Sequence, residues 1–199
     1  MNIHMTIADL MPHKDNGNAT PRSANTQKKS YPKSAGAIAA ISHSCKPDMQ
    51  WTYHDRAGQP IGIFLKWNKP DGKDIVPLAR RANGRWVCKA MPMPRPLYRL
   101  PELLAESIDT HACVVECEKC DDTLTCLALP ATTSAGGARA KKKTDWTPLA
   151  GRTVNILPNN DPPRKSYAEH VVATLNEQSR ETASPRQVKE ISGSHRRIP

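Results

Sequence analysis

Hydrophobic and polar positions alternate along the chain between residues 50 and 90. Ile61, Ile63, Leu65 and Trp67 recur at every second position, with Phe64 on the opposite face. A period of two is that of an extended strand, whose side chains point to alternate faces. Trp51–Asp55 alternates in the same way and ends at the turn Arg56–Gly58. Lys69-Pro-Asp-Gly72 and Asn83-Gly84 are turn signals that set off the segments Asp74–Ala79 and Arg85–Lys89. The pattern predicts an antiparallel meander of three or four strands over 50–90, with Trp51, Trp67 and Trp86 as its small core rather than as base-stacking platforms. Met91-Pro-Met-Pro-Arg-Pro96 then forms a proline-stiffened connector.

Past this connector the period changes. Leu97–Ser107 predicts a short helix opened by Pro101-Glu102, and Lys119–Leu127 carries Leu124 and Leu127 at helical spacing. Arg164–Gln178 places Ala168, Val171, Val172 and Leu175 on one helical face. Between them lie short apolar runs at Ala112–Val115, Ala131–Ser134 and Thr153–Leu157, and Gln187–Ile191 supplies a last strand. Strands alternating with helices predict a small parallel sheet of βαβ units. Before the meander, Ala35–Ser44 favours a short helix with Ser34 as its cap.

Four segments follow: a disordered tail over 1–34, a β-rich subdomain and connector over 35–108, an α/β domain over 109–192 and a basic tail over 193–199. The tail at 1–34 is rich in Asn, Ser, Pro and Lys and buries too little apolar surface to offset the entropy of ordering.

Composition sharpens this picture. Only 38% of the 199 residues are hydrophobic and one is Phe, enough core for one modest domain of ~100–150 residues. The longest apolar run, about Ala35–Ile41, falls far short of the ~18–20 residues of a membrane helix, so no membrane association is expected. No basic-then-apolar leader pattern opens the chain, and six cysteines without a disulfide framework suit a reducing, cytoplasmic setting. Cys117-Glu-Lys-Cys120 with Cys113 and Cys126 matches the ligand number of zinc. The spacing does not suit it, because Cys113 falls in a predicted strand and Cys120 and Cys126 share one helix. No zinc is expected; buried or idle thiols and a redox CxxC are the remaining readings. The net charge of +10 favours a polyanionic partner, most simply nucleic acid.

In a parallel α/β sheet, ligands bind beyond the carboxyl ends of the strands. Glu116-Cys-Glu118 follows one apolar run directly and Pro158-Asn-Asn-Asp161 follows another. Two carboxylates converging there make an oxygen-ligand site suited to Mg²⁺, although Glu and Asp at strand ends also serve as turn and cap residues. Arg139, Lys141, Lys142 and Lys143 on one loop, and Arg164 and Lys165 at the start of the following helix, are candidates to guide a phosphate backbone toward the acids. A solvated lysine run is the plainer account of 141–143.

Val114-Val-Glu-Cys-Glu-Lys119 resembles the glutamate motif of Toprim domains, an apolar strand followed by Glu-Gly-Glu-Lys. Ile156-Leu-Pro-Asn-Asn-Asp161 resembles their Asp-x-Asp motif. Thr132–Gly137 and Lys143–Gly151 are similar to the segment between these motifs in mobile-element primases and primase–helicases. Trp51–Asp55, Gly72–Ile75 and Pro96–Glu102 are similar to the region that precedes the domain in the same proteins. The resemblance implies a Rossmann-like Toprim sheet with helices on both faces, preceded by the meander, acting in DNA replication or primer synthesis on a DNA or RNA single strand.

By the same resemblance Glu116 matches the glutamate that acts as general acid/base or metal ligand, and Asp161 the second metal-binding aspartate. Asn159 stands at the first aspartate and offers Mg²⁺ only a neutral oxygen, so a weak Mg²⁺ site is expected. Cys117 replaces the family glycine, and Pro162-Pro-Arg164 the usual acidic-Pro-Gly loop. The chain carries no GKS/GKT phosphate loop, so no helicase motor is expected. The function expected is Mg²⁺-dependent nucleotidyl or phosphoryl transfer in primer synthesis. The alternatives are a catalytically degenerate module that binds single-stranded nucleic acid or docks on a replicative helicase, and a small Toprim nuclease.

Overall fold

A computed structural model of the protein describes residues 29–42, 45–157, 162–182 and 188–190. They fall into two compact units, one within Pro12–Met93 and the other within Pro94–Pro199.

In the first unit, alternation produces long antiparallel strands. β1 (Ser30–Tyr31), β2 (Met49–His54), β3 (Pro60–Lys69), β4 (Gly72–Arg80) and β5 (Trp86–Val87) form a sheet of order β1-β5-β4-β3-β2. Asp55 closes the β2–β3 turn, its Oδ1 accepting from the amides of Ala57 and Gln59 at 2.9 Å each. Lys69 pairs with Gly72 at the tip of the β3–β4 hairpin. On one face Ile63, Leu65, Trp67, Leu78 and Trp86 pack with Ala37 and Ile41 of helix α1 (Ser34–Ile41). On the other, Trp51 lies opposite Phe64, and the rings of Tyr53 and Phe64 meet edge-on at 5.5 Å. Met91 covers this second face over Gly62, where a Cβ would fall 2.1 Å from its sulfur.

Three expectations are corrected in this unit. Ser30 and Tyr31, placed by their composition in a disordered tail, form an edge strand because β5 offers a free ladder to pair with. Ser34 is the first residue of α1 rather than its cap; Lys33 holds the extended cap position and makes no side-chain cap bond. The helix stops at Ile41, short of Ser44, where the Ser42 amide bonds back to the Ile38 carbonyl. Of the tails expected at 1–34 and 193–199, residues 1–28 and 193–199 lie outside the described residues.

The second unit is a parallel α/β layer. β6 (Ala112–Val114), β7 (Ala131–Thr132), β8 (Val154–Ile156) and β9 (Val188–Glu190) form a sheet of order β7-β6-β8-β9, parallel throughout. Helices α2 (Leu100–Ala105), α3 (Glu118–Cys126) and α4 (Pro162–Thr182) complete it. Period two along β6 sorts the two cores. Ala112 and Val114 face Leu103 of α2 and Tyr167, Ala168, Val171 and Leu175 of α4. Cys113 and Val115 face Cys120 and Leu124 of α3. Helices therefore cover both faces, as right-handed crossovers running outward in opposite directions from β6 and β8 require. β7 ends at Thr132, earlier than its apolar run, because Leu97–Tyr98 takes over the pairing: the Tyr98 amide bonds Thr133 and Leu97 bridges Ser134. No helix among the described residues is long and apolar enough to cross a membrane.

Candidate functional site at the carboxyl edge of the parallel sheet

β6 and β8 are neighbours in register, Ala112 against Val154 and Val114 against Ile156. The chain leaves β6 toward β7 and leaves β8 toward β9, so the sheet reverses its strand order between them. A crevice opens beyond the carboxyl ends at such a reversal, because the connections depart on opposite faces. The ladder holds to the edge: the Val115 amide bonds the Thr132 carbonyl and the Leu157 amide the Val114 carbonyl, each at 3.0 Å. Glu116, half-buried, is the next residue after Val115. Asn159 and Asp161, expected to converge on Glu116, lie outside the described residues.

Three elements surround Glu116. Tyr167 of α4 is fully buried, and its hydroxyl donates to the Val115 carbonyl at 3.3 Å. Burial pushes this phenol up to about 12 and the nearby Glu116 carboxylate pushes the same way, against the hydroxyls of Ser134 and Thr133. Tyr167 is therefore a neutral donor at physiological pH. The second element is the loop after β7. Gly136 and Gly137 have φ of 98° and 64°, and a Cβ on Gly137 would lie 3.2 Å from the Glu116 carbonyl oxygen. Only glycine permits both the left-handed turn and this approach. Ser134 Oγ tightens the loop by donating to the Gly137 carbonyl at 3.0 Å.

The third element is the 3-10 segment Gly137–Lys143, which carries Arg139 and the lysine run. Lys141 is a tie rather than a free cation: its Nζ donates to the Oγ of Ser166 on α4 at 2.8 Å, and its carbonyl accepts from Trp146 Nε1 at 3.0 Å. Lys142 and Lys143 are exposed. Arg164 and Lys165 sit in the first turn of α4, the element to which Lys141 is bonded. His170 on α4 is held below its ordinary range by burial, and the charges of Lys141 and Lys142 act in the same direction.

A half-buried charge network built on the buried Asp121 lies beside the site, and local sequence pattern gave little sign of it. Arg99 Nε donates to Asp121 Oδ1 at 2.9 Å and Nη2 to Asp122 Oδ1 at 2.8 Å, and Tyr98 Oη bonds the same Asp122 oxygen at 3.1 Å. Arg99 adopts φ 51°, ψ 38°, the left-handed region, a costly state for a side chain of this size. Asp121 is fully buried and its Oδ2 accepts no hydrogen bond from a described residue. Burial lifts its carboxyl to about 7, opposed by Arg99 and reinforced by the charges of Asp122 and Glu118. The network anchors α3, which starts two residues after Glu116. Asp121-Asp122 on a helix was the only local sign of it; the arginine lies 22 residues away.

Glu116, Asn159 and Asp161 suit Mg²⁺ in donor chemistry, two carboxylates and an amide oxygen that leave room for water and phosphate. Among the described residues, no group of three or more His, Cys, Asp or Glu is arranged to hold a metal ion.

No family model matches the chain, and no curated protein matches it. Among solved structures, the chain is similar to the crystal structure of the primase fragment of the bacteriophage T7 primase-helicase protein. The TM-score is 0.45 and the identity 12%, over 93% of this chain and 74% of that one.

Proposed function

We propose that the parallel unit is a Toprim-like module of DNA replication that engages single-stranded nucleic acid and carries out Mg²⁺-dependent nucleotidyl transfer in primer synthesis. The observation that carries this reading is the position of Glu116. It stands one residue past the last ladder bond of β6, beside β8, at the strand-order reversal, with the Gly136-Gly137 loop closed against its carbonyl. The ordered motifs around Glu116 and Asp161 support it. In this role Glu116 holds a proton or a metal ligand position, Tyr167 fixes the backbone that presents it, and Asn159 and Asp161 supply further oxygens. Mg²⁺, when bound, would neutralise phosphate charge as it develops. Lys142, Lys143, Arg139, Arg164 and Lys165 would meet the phosphate backbone, with Lys141 positioning the segment that carries the first two. A second reading, a binding or helicase-docking module without catalysis, is favoured by the amide at Asn159 and the Cβ that Cys117 adds after the glutamate.

Primer synthesis on a single-stranded template and Mg²⁺ calorimetry test both. Synthesis that is lost in Glu116→Gln, with Mg²⁺ bound more tightly by Asn159→Asp than by the parent chain, is the expected result. Template binding without Mg²⁺-dependent synthesis selects the second reading, and absence of both activities removes the two together. If ~4–6 phosphates are contacted, affinity for a single strand falls by orders of magnitude between ~50 and ~200 mM salt. The double variant Lys142→Gln/Lys143→Gln flattens that dependence; an unchanged gel shift would refute the assignment of these lysines.

A further inference from the structure

We infer that Cys117 and Cys120 form a reversible dithiol–disulfide pair, a redox modification site at the start of α3. Their sulfurs lie 3.2 Å apart. A disulfide spans about 2.05 Å, so about 1 Å of approach closes the bond, a distance that side-chain rotation supplies. Cys117 holds the extended cap position of α3 and Cys120 its first turn, so the pair is brought together by the helix start and by no distant contact. Their surroundings divide the labour. Cys117 is half-buried at the edge of the core cluster and the more accessible of the two, whereas Cys120 is buried within it. The third thiol of this cluster, Cys113, is also buried, and burial together with the charge of Asp121 keeps it protonated. Cys45 and Cys126 are exposed.

The oxidant is a low-molecular-weight disulfide of the glutathione class. The Cys117 thiolate attacks one of its sulfurs, forming a mixed disulfide and releasing one thiolate. The Cys120 thiolate then attacks the Cys117 sulfur, forming the protein disulfide and releasing the second thiolate. Two protein thiols lose two electrons and two protons, and one small disulfide becomes two thiols. Cys117 directly follows Glu116, so the bond fixes the backbone on which the carboxylate stands. That consequence rests on the proposed function; the bond itself does not.

The test is equilibration of the full chain in buffers of graded reduced and oxidised glutathione, followed by acid quench, alkylation and tryptic mapping. Cleavage after Lys119 separates Cys117 from Cys120, so the two peptides stay joined only through a disulfide. Fragmentation distinguishes Cys117 from Cys113 on one peptide and Cys120 from Cys126 on the other. The expected result is a Cys117–Cys120 link that rises with the oxidised fraction and reverses on reduction. It is lost completely in Cys117→Ala, and Cys120→Ser accumulates a glutathione adduct on Cys117. Both thiols remaining free across the series, or oxidation confined to adducts on Cys45 and Cys126, would overturn the inference. This readout involves neither template nor Mg²⁺, so it stands or falls apart from primer synthesis.

Discussion

The two units of the chain bury different chemistry. In the antiparallel unit, β3 and β4 run ten and nine residues and the interior is aromatic and aliphatic on both faces. Its single buried charge among the described residues, Asp74, is paired with Lys69 at 2.7 Å. In the parallel unit the strands are two or three residues long, and among the described residues six buried polar or charged ones accompany them: Glu118, Asp121, Thr132, Thr133, Ser134 and Arg152. Long strands saturate their own backbone and leave the side chains free to be apolar. Short strands end inside the layer, so side chains must satisfy the loops and helix ends that follow. Polar burial of that kind fixes loops at the carboxyl edge, where a site needs rigid supports.

The comparison can be broken first at the apolar core. Leu65 is fully buried between α1 and the sheet. Leu65→Ala should cost about 2–5 kcal/mol through lost transfer energy and the cavity left behind, read as a lower denaturation midpoint in urea. A loss under ~1 kcal/mol would mean that the antiparallel unit collapses around the gap and is not the rigid layer described.

Arg152 is the polar counterpart. Buried beside α2, its guanidinium donates to the carbonyls of Leu103 at 2.9 Å, Glu106 at 2.8 Å and Ser107 at 2.6 Å. Leu103 is one of the carbonyls that a helix C-terminus leaves unpaired, and Glu106 and Ser107 are the cap residue and the one after it. Arg152→Ala should destabilise by roughly 2–3 kcal/mol. Arg152→Lys should recover less than half, since an ammonium cannot reproduce the planar fork. Full rescue by lysine in thermal melts would show that charge alone is what matters there.

The smallest effect sharpens the contrast through pH. Asp121 ionises near 7 in the folded chain and near 3.8 when free. Between these values the folded state holds the extra proton, so stability falls as pH rises from about 4 to about 7 and stays low above. Arg99 opposes that decline, since its charge favours the ionised carboxylate. Asp121→Asn should flatten that slope in melts between pH 5 and pH 8. A slope that survives the substitution would assign it to another group.

Legibility followed the length over which a pattern repeats. Ile61, Ile63, Leu65 and Trp67 repeat the period three times, and β3 appeared where they predict it. Ser30–Tyr31 carries none, and only β5 makes it a strand. The run Ala131–Ser134 resembles one strand, yet Leu97–Tyr98 claims its second half. At the site, the apolar runs before Glu116 and Asn159 were legible as adjacent parallel strands. The roles of Tyr167, Lys141 and Arg99 were not, because each rests on a partner more than twenty residues distant.

The sequence by itself determined the antiparallel meander, the parallel βαβ layer and the placing of Glu116 directly after an apolar run. These follow from local periodicity, turn residues and the handedness of crossovers, which need no knowledge of distant contacts. Tertiary structure alone decided that Lys141 is bound to Ser166 and that Gly137 lies against the Glu116 carbonyl. It likewise decided that Asp121 is buried against Arg99, and that Arg152 closes α2. The Asp121–Arg99 and Arg152 contacts meet polar groups that burial has removed from water, and all four depend on how the whole layer packs rather than on neighbours in the chain.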